Sequence, residues 1–209
     1  MDIIKQLQWR YATKKFDNNR IIEDSKLQVL LDAFNLTATS YGLQPIKLVV
    51  IKNKALQREL VEASMNQEQI AQASHVLVFC IETTINNVFV ENYFKRVQSI
   101  RNTPEAVLKP FKNFLISDFE NKEQLQIENW ATKQAYLALG NMLTVCAVQH
   151  IDSCPMEGFT PTKYDDILEL TQKGLKSVLV LPIGYRAEDD IFSDMKKVRK
   201  PAADSIIHL

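Results

Sequence analysis

The run Ala135-Tyr136-Leu137-Ala138-Leu139-Gly140-Asn141-Met142-Leu143-Thr144-Val145-Cys146-Ala147-Val148 decides how the chain is read. It forms the second half of a helix predicted over Lys122 to His150, whose first half is amphipathic. This half is apolar on nearly every side, and such a helix must be covered on every side. A chain of 209 residues satisfies that requirement in one of two ways. Either the helix is central and lies at a subunit interface, or it is the core helix of a monomer. Working outward, Ile151 to Pro155 is a short extended piece, and Ser177 to Ile183 is a clear strand. Upstream, Lys47 to Ile51 and Val76 to Ile81 are two more strands. Leu27, Leu30, Leu31 and Phe34 fall at i, i+3, i+4 and i+7, the mark of an amphipathic helix with Asp24 or Ser25 as its N-cap. Further helices are expected over Asp2 to Arg10, near Lys54 to Ser64, and from Pro161 through Leu170. Thr37 to Pro45 breaks the helical period and reads as a loop. Asn86 to Glu120 is helical and rich in aromatics, with breaks expected at Pro104 and Pro110. No repeat or linker divides the chain, so residues 1–209 read as one domain.

Composition removes several classes of function. Lys+Arg and Asp+Glu are both 25, so no global field draws in nucleic acid or an anionic membrane. No apolar run reaches spanning length, and the N-terminus has no apolar signal region; a cytoplasmic protein is expected. Cys80, Cys146 and Cys154 each sit in an apolar run and form no C-x-x-C pair, which points to reduced, buried thiols. The five glycines, Gly42, Gly140, Gly158, Gly174 and Gly184, make neither a G-x-G-x-x-G fingerprint nor a P-loop. His75, His150 and His208 are scattered and no Cys/His cluster exists, so no metal site is expected. A G-x-S-x-G elbow is also missing. What is left is chemistry carried by a bound cofactor, or no enzyme at all.

Four separated segments narrow that choice. They are Met1-Asp2-Ile3-Ile4 through Arg10-Tyr11-Ala12-Thr13-Lys14-Lys15-Phe16-Asp17; Thr37-Ala38-Thr39-Ser40-Tyr41-Gly42-Leu43-Gln44-Pro45; Pro155-Met156-Glu157-Gly158-Phe159; and Lys197-Val198-Arg199-Lys200-Pro201. In order and spacing the set resembles the nitroreductase family of FMN-dependent oxidoreductases, over essentially the whole chain. The resemblance implies an α+β fold: a nitroreductase-like α/β/α sandwich with a mixed, mainly antiparallel sheet, in an intertwined homodimer. FMN sites would lie at the dimer interface, and the C-terminal tail would cross to the partner with Ile206-Ile207 as an edge strand. NADH or NADPH and then a small planar acceptor, a nitroaromatic or a quinone, would use one cleft in turn.

The same resemblance assigns residues. Arg10, Lys197 and Arg199 match the cations that hold the phosphate, a dianion that favours several forked donors. Tyr11 and Ala12 lie in the first matched segment. Lys14 matches the lysine beside the flavin N1/O2 edge, where a fixed positive charge favours the anionic reduced ring; Lys15 has no matched role. Ala38, Thr39, Ser40 and Gly42 match the segment reaching the partner's FMN. Asn66 matches an asparagine on the pyrimidine side, and Gln69 stands where some relatives carry a second lysine. Gln134 matches a glutamine touching the cofactor across the interface. Pro155, Met156, Glu157 and Gly158 form the turn whose main-chain N–H faces flavin N5, with Glu157 nearest. Lys14 and Glu157 are thus the candidate catalytic residues. Taken singly, each has a plainer reading: Arg10 a helix-closing surface residue, 196–200 an exposed basic run, Asn66 an N-cap, 38–42 and 155–158 ordinary connections. Ile46 replaces the tryptophan that follows Gln-Pro in many relatives, which implies an altered site wall. A reductase of the same fold acting on pteridines or enones, a flavin-storing dimer, and a non-catalytic interaction protein are the competing functions.

Overall fold

In a computed structural model, which describes residues 2–209, alternate side chains of one strand divide the molecule into two cores. Met1, at the head of the first matched segment, lies outside the described residues. Along β2 (His75–Glu82), Leu77, Phe79 and Ile81 face one core, and Val76, Val78 and Cys80 face the other. Both faces are covered, so the strand reads as a continuous apolar run. β1 (Ile46–Ile51) pairs with β2, β2 with β4 (Leu175–Gly184), and β4 with β3 (Asp152–Ser153), giving the order β1-β2-β4-β3. All three pairings are antiparallel. The parallel element of the expected mixed sheet is only a single bridge between Ala12 and Ser153.

The first core is closed by α2 (Asp24–Asn35), α5 (Asn87–Arg101), α6 (Glu105–Glu120) and α7 (Gln124–Val148). The second is closed by α3 (Lys54–Ala63), α4 (Gln69–Gln72) and α8 (Pro161–Ile167), with Leu60, Ile70 and Tyr164 fully buried. The architecture is the expected α+β sandwich. Local chemistry starts its helices. Asp2 caps α1 (Ile3–Trp9) by accepting from Ile4 N at 3.0 Å, Asn53 caps α3, and Asn86 caps α5. Such a cap satisfies amide protons that the first turn cannot.

Two boundaries differ from expectation. Pro104 separates α5 from α6, but Pro110 lies inside α6, which continues to Glu120. Burial of Leu115 and Phe119 on the next turns holds the helix through the missing hydrogen bond. The helix from Pro161 stops at Ile167 instead of Leu170. Ile206 and Ile207, expected to pair with a partner subunit, form no strand with the chain's own sheet and are exposed, which leaves them available for that pairing.

α7 runs 25 residues and buries Ile127, Ala131, Ala135, Ala138, Leu139, Met142, Cys146 and Ala147 along one face. The opposite side is bare: Tyr136 is 44% and Leu137 55% exposed, and a Cβ on Gly140 would meet nothing within 4 Å. The three cysteines are free and buried. Burial pushes the Cys80 and Cys146 thiols up to about 12, so both stay protonated and inert near neutrality.

Candidate active site

The segment after α1 is sewn between β3 and the chain leaving β4. Thr13 N donates to Ser153 O at 3.2 Å, and Asp17 N to Tyr185 O at 2.8 Å. The carboxylate of buried Asp190 gathers this segment, accepting from the Tyr11 hydroxyl at 2.8 Å, Lys14 N at 2.9 Å and Lys15 N at 3.1 Å. Burial alone would raise Asp190; the hydrogen bonds from Tyr11, Lys14, Phe192 and Lys15 outweigh it and hold the group below the ordinary carboxylate range. The two adjacent lysines are then told apart. Lys15 pairs with Asp189, whereas among the described residues the Lys14 ammonium has no ion pair or hydrogen bond.

At the end of α1 three cations converge. Arg10 is half-buried, and its Nε is buried without a hydrogen-bond partner. Burial, and then the neighbouring Arg199, pull its guanidinium down from the ordinary range. Lys197 donates to Arg10 O and is pulled down by burial and by Arg10, Arg199 and Arg186. Among the described residues no carboxylate pairs with this group. Asp152, the nearby candidate, is taken by Arg186, with Nε to Oδ1 at 2.8 Å and N to Oδ2 at 2.9 Å. A half-buried forked donor with an unpartnered Nε, set among like charges, suits an anion.

The third predicted segment folds as a clamped turn. Met156 N donates to Val180 O at 2.8 Å and Met156 O accepts in return at 3.1 Å. Gly158 O accepts from Gln67 Nε2 at 2.9 Å, and a Cβ on Gly158 would come within 3.1 Å of that nitrogen. Between these anchors the Glu157 N–H has no acceptor among the described residues, while its carboxylate accepts from the Tyr136 hydroxyl at 2.5 Å. Burial pushes the Cys154 thiol beside the turn up, and Lys14, Gln69 and Arg10 pull the other way. Arg10, Lys14 and Gln69 thus lie on the side of the fold that carries Cys154 and the turn after it, with Ala12 paired to Ser153 at its edge. Asn66 is exposed with φ 57°, following Met65 at φ 55°. It turns the chain out of α3 and caps nothing; the N-cap of α4 is Glu68.

The second predicted segment lies elsewhere. Ser40 to Gly42 make one 3₁₀ turn, and Ser40 N donates to Gln134 Oε1 at 2.8 Å. Gln134 Nε2 donates back to Trp130 O at 2.9 Å. Thr39 Oγ1 accepts from Gln44 N at 3.0 Å, and Ala38 joins this turn to the end of α2. Tyr41, at φ 58°, stacks near Trp130 and edge-on to Phe111. Gln134 is 4% exposed on the inner side of α7, and Tyr136 stands two residues on. At about 100° per residue these side chains leave the helix on opposite sides. The 38–42 turn and the 155–158 turn are thus held by opposite faces of α7, and within one chain they do not form one pocket. A cleft of about 600 Å³ lies beside the former, between α2, β1 and α5, with Phe34, Thr39, Phe89, Tyr93 and Arg96 in its wall.

Residues 7–185 match the model of the Nitroreductase family. The chain belongs to the Nitroreductase family. Membership makes it an oxidoreductase. It is 34% identical over 213 residues to a provisionally named NAD(P)H nitroreductase of Staphylococcus haemolyticus, with 98% of this chain and 95% of that one covered. The nitroreductase fold recurs in a provisionally named nitroreductase from Bacillus subtilis at TM-score 0.88 and 17% identity, covering 99% of this chain and 98% of that one. A provisionally named nitroreductase from Exiguobacterium sibiricum, solved in complex with FMN, gives TM-score 0.86 at 18% identity, with 100% and 98% covered. Among the described residues no helix is long and apolar enough to cross a membrane, and no His/Cys/Asp/Glu group is arranged to hold a metal ion.

Asp190, Gln67, Tyr136 and the Arg186–Asp152 pair carry roles that sequence reasoning missed. Tyr136 alone gave a signal, as a hydroxyl in an otherwise apolar helix. The others act by tying segments far apart in sequence.

Proposed function

We propose that the chain is an FMN-dependent NAD(P)H oxidoreductase working as a homodimer, with two sites each assembled from both subunits. The observation that carries the reading is the cation cluster of Arg10, Lys197 and Arg199, with a buried, unpartnered Arg10 Nε and no carboxylate among the described residues to neutralise it. FMN's terminal phosphate fits that demand. Lys14, unpaired where Lys15 is neutralised, would set a positive charge at the pyrimidine edge, with Gln69 and Asn66 as amide donors. The unspent Glu157 N–H would donate to N5, and the spent N–H of Met156 leaves Glu157 as the first free donor of the turn. Bound FMN would supply the redox chemistry, taking hydride from NADH or NADPH and passing it, after the nicotinamide has left, to a planar acceptor such as a quinone or nitroaromatic.

Assembly from two chains is supported by the division of the predicted residues. The 38–42 turn and Gln134 lie across α7 from the Glu157 turn, so a second subunit would present them to complete a site. The bare stripe of Tyr136, Leu137 and Gly140 supplies an apolar helix face with room for close approach. The open edge of β1, next to the 600 Å³ cleft, suits the Ile206-Ile207 segment of a partner, which its own sheet does not use. A cytoplasmic setting accords with the reduced thiols.

The test begins with absorbance. Purified protein should be yellow, bind one FMN per chain, and bleach on anaerobic addition of NADH or NADPH. Replacing Arg10 and Arg199 together by Ala should strip the flavin and leave helical circular dichroism unchanged. A colourless protein that takes up no added FMN, or a double variant that keeps stoichiometric FMN, would overturn the reading.

A further inference from the structure

Tyr136 has one polar atom, and that atom is spent on the residue at the centre of the N5 turn. Its hydroxyl donates to Glu157 Oε1, and a carboxylate is the stronger kind of acceptor for such a donor. Hydrogen bonding to the carboxylate, then burial, hold the Tyr136 phenol above its ordinary range, so it stays a donor. The turn itself has no slack. Met156 is tied to β4 in both directions and Gly158 O is tied to Gln67. Only the Glu157 side chain is left to choose a direction, and it belongs to the residue whose N–H is free.

That choice has an electrostatic consequence. Reduced flavin carries negative charge, and a carboxylate swung to the same side as the Glu157 N–H would oppose it. We propose that Tyr136 is a positioning residue whose hydroxyl holds the Glu157 carboxylate against α7, so that the turn offers the cofactor a donor and not a charge. The inference rests on the FMN reading above. It gives α7 a second task beyond packing, and it explains a tyrosine where the stripe of Leu137 and Gly140 needs only an apolar side chain.

The test is spectroelectrochemical titration of the holoenzyme and its Tyr136→Phe, Glu157→Gln and doubly substituted forms. Tyr136→Phe should keep stoichiometric FMN, shift the flavin midpoint potential to more negative values, and slow reduction by NADH severalfold. Glu157→Gln should leave the potential near that of the unsubstituted protein, because the charge it removes was already held aside. Adding Tyr136→Phe to Glu157→Gln should then shift nothing. An unchanged potential in Tyr136→Phe, the same shift when Tyr136→Phe is added to Glu157→Gln, or a large positive shift in Glu157→Gln alone would each overturn the proposal. If Tyr136→Phe fails to fold, Tyr136→Leu, which also removes the hydroxyl, carries the same expected shift and the same overturning result. Unsubstituted protein that binds no FMN would overturn the function with it, whereas a normal holoenzyme with an indifferent Tyr136→Phe overturns only this inference.

Discussion

Two independent constraints fix Gly42. Its φ is +72°, and a Cβ there would stand 2.8 Å from the Tyr93 hydroxyl. Gly42→Ala should cost about 1–3 kcal/mol, from the strained backbone conformation together with the clash. Thermal unfolding would read this as a melting temperature several degrees lower, and a variant melting with the parent would show that α5 yields freely. Lys14 and Lys15 teach a different lesson at the same scale. In the sequence they are identical neighbours, and only the resemblance separated them. In the fold Lys15 meets Asp189 while Lys14 is left open. That difference depends on a contact 174 residues away, which no local pattern encodes. Asp190 was invisible for the same reason: its value lies in collecting three donors from residues 11–15.

At the scale of elements, pattern was enough for α2, α7 and the three long strands, whereas α4, a single turn, gave no period to read. The strand over 75–82 announces itself as a continuous apolar run because both faces are covered, and those over 46–51 and 175–184 as runs rich in β-branched and aliphatic residues. α6 was legible only in part, since an interior proline is ordinarily a stop. Tertiary burial of Leu115 and Phe119 overrides that local preference. Pro110→Ala should therefore stabilise the protein, by about 1–3 kcal/mol, as the donor to the preceding turn is restored. Denaturant unfolding monitors the gain; a loss of stability would mean that the ring itself packs where a methyl cannot substitute. The irregular tail after Arg186 lacks periodicity altogether, so only the matched Lys197 and Arg199 could be placed from sequence.

At the scale of the whole molecule, the decisive fact is how the candidate residues divide. The resemblance assigns 38–42 and Gln134 to the partner's cofactor, and the fold ties these candidates and Glu157 to different sides of α7, at Gln134 and at Tyr136. Local pattern without the resemblance does not disclose that sorting, because residues two apart on a helix look adjacent on paper. The arrangement has a genetic corollary. In the proposed dimer each active centre takes the cation cluster from one polypeptide and the 38–42 turn from the other. An Arg10→Ala allele and a Gln134→Leu allele, each inactive alone, should complement when co-expressed, because every mixed dimer regains one intact centre. Two alleles from the same group, Arg10→Ala with Arg199→Ala, should not rescue one another. Flavin content and turnover of co-purified, differently tagged chains would report the pattern. Absence of rescue in the first pairing would mean that inheritance of this activity is, after all, strictly per polypeptide.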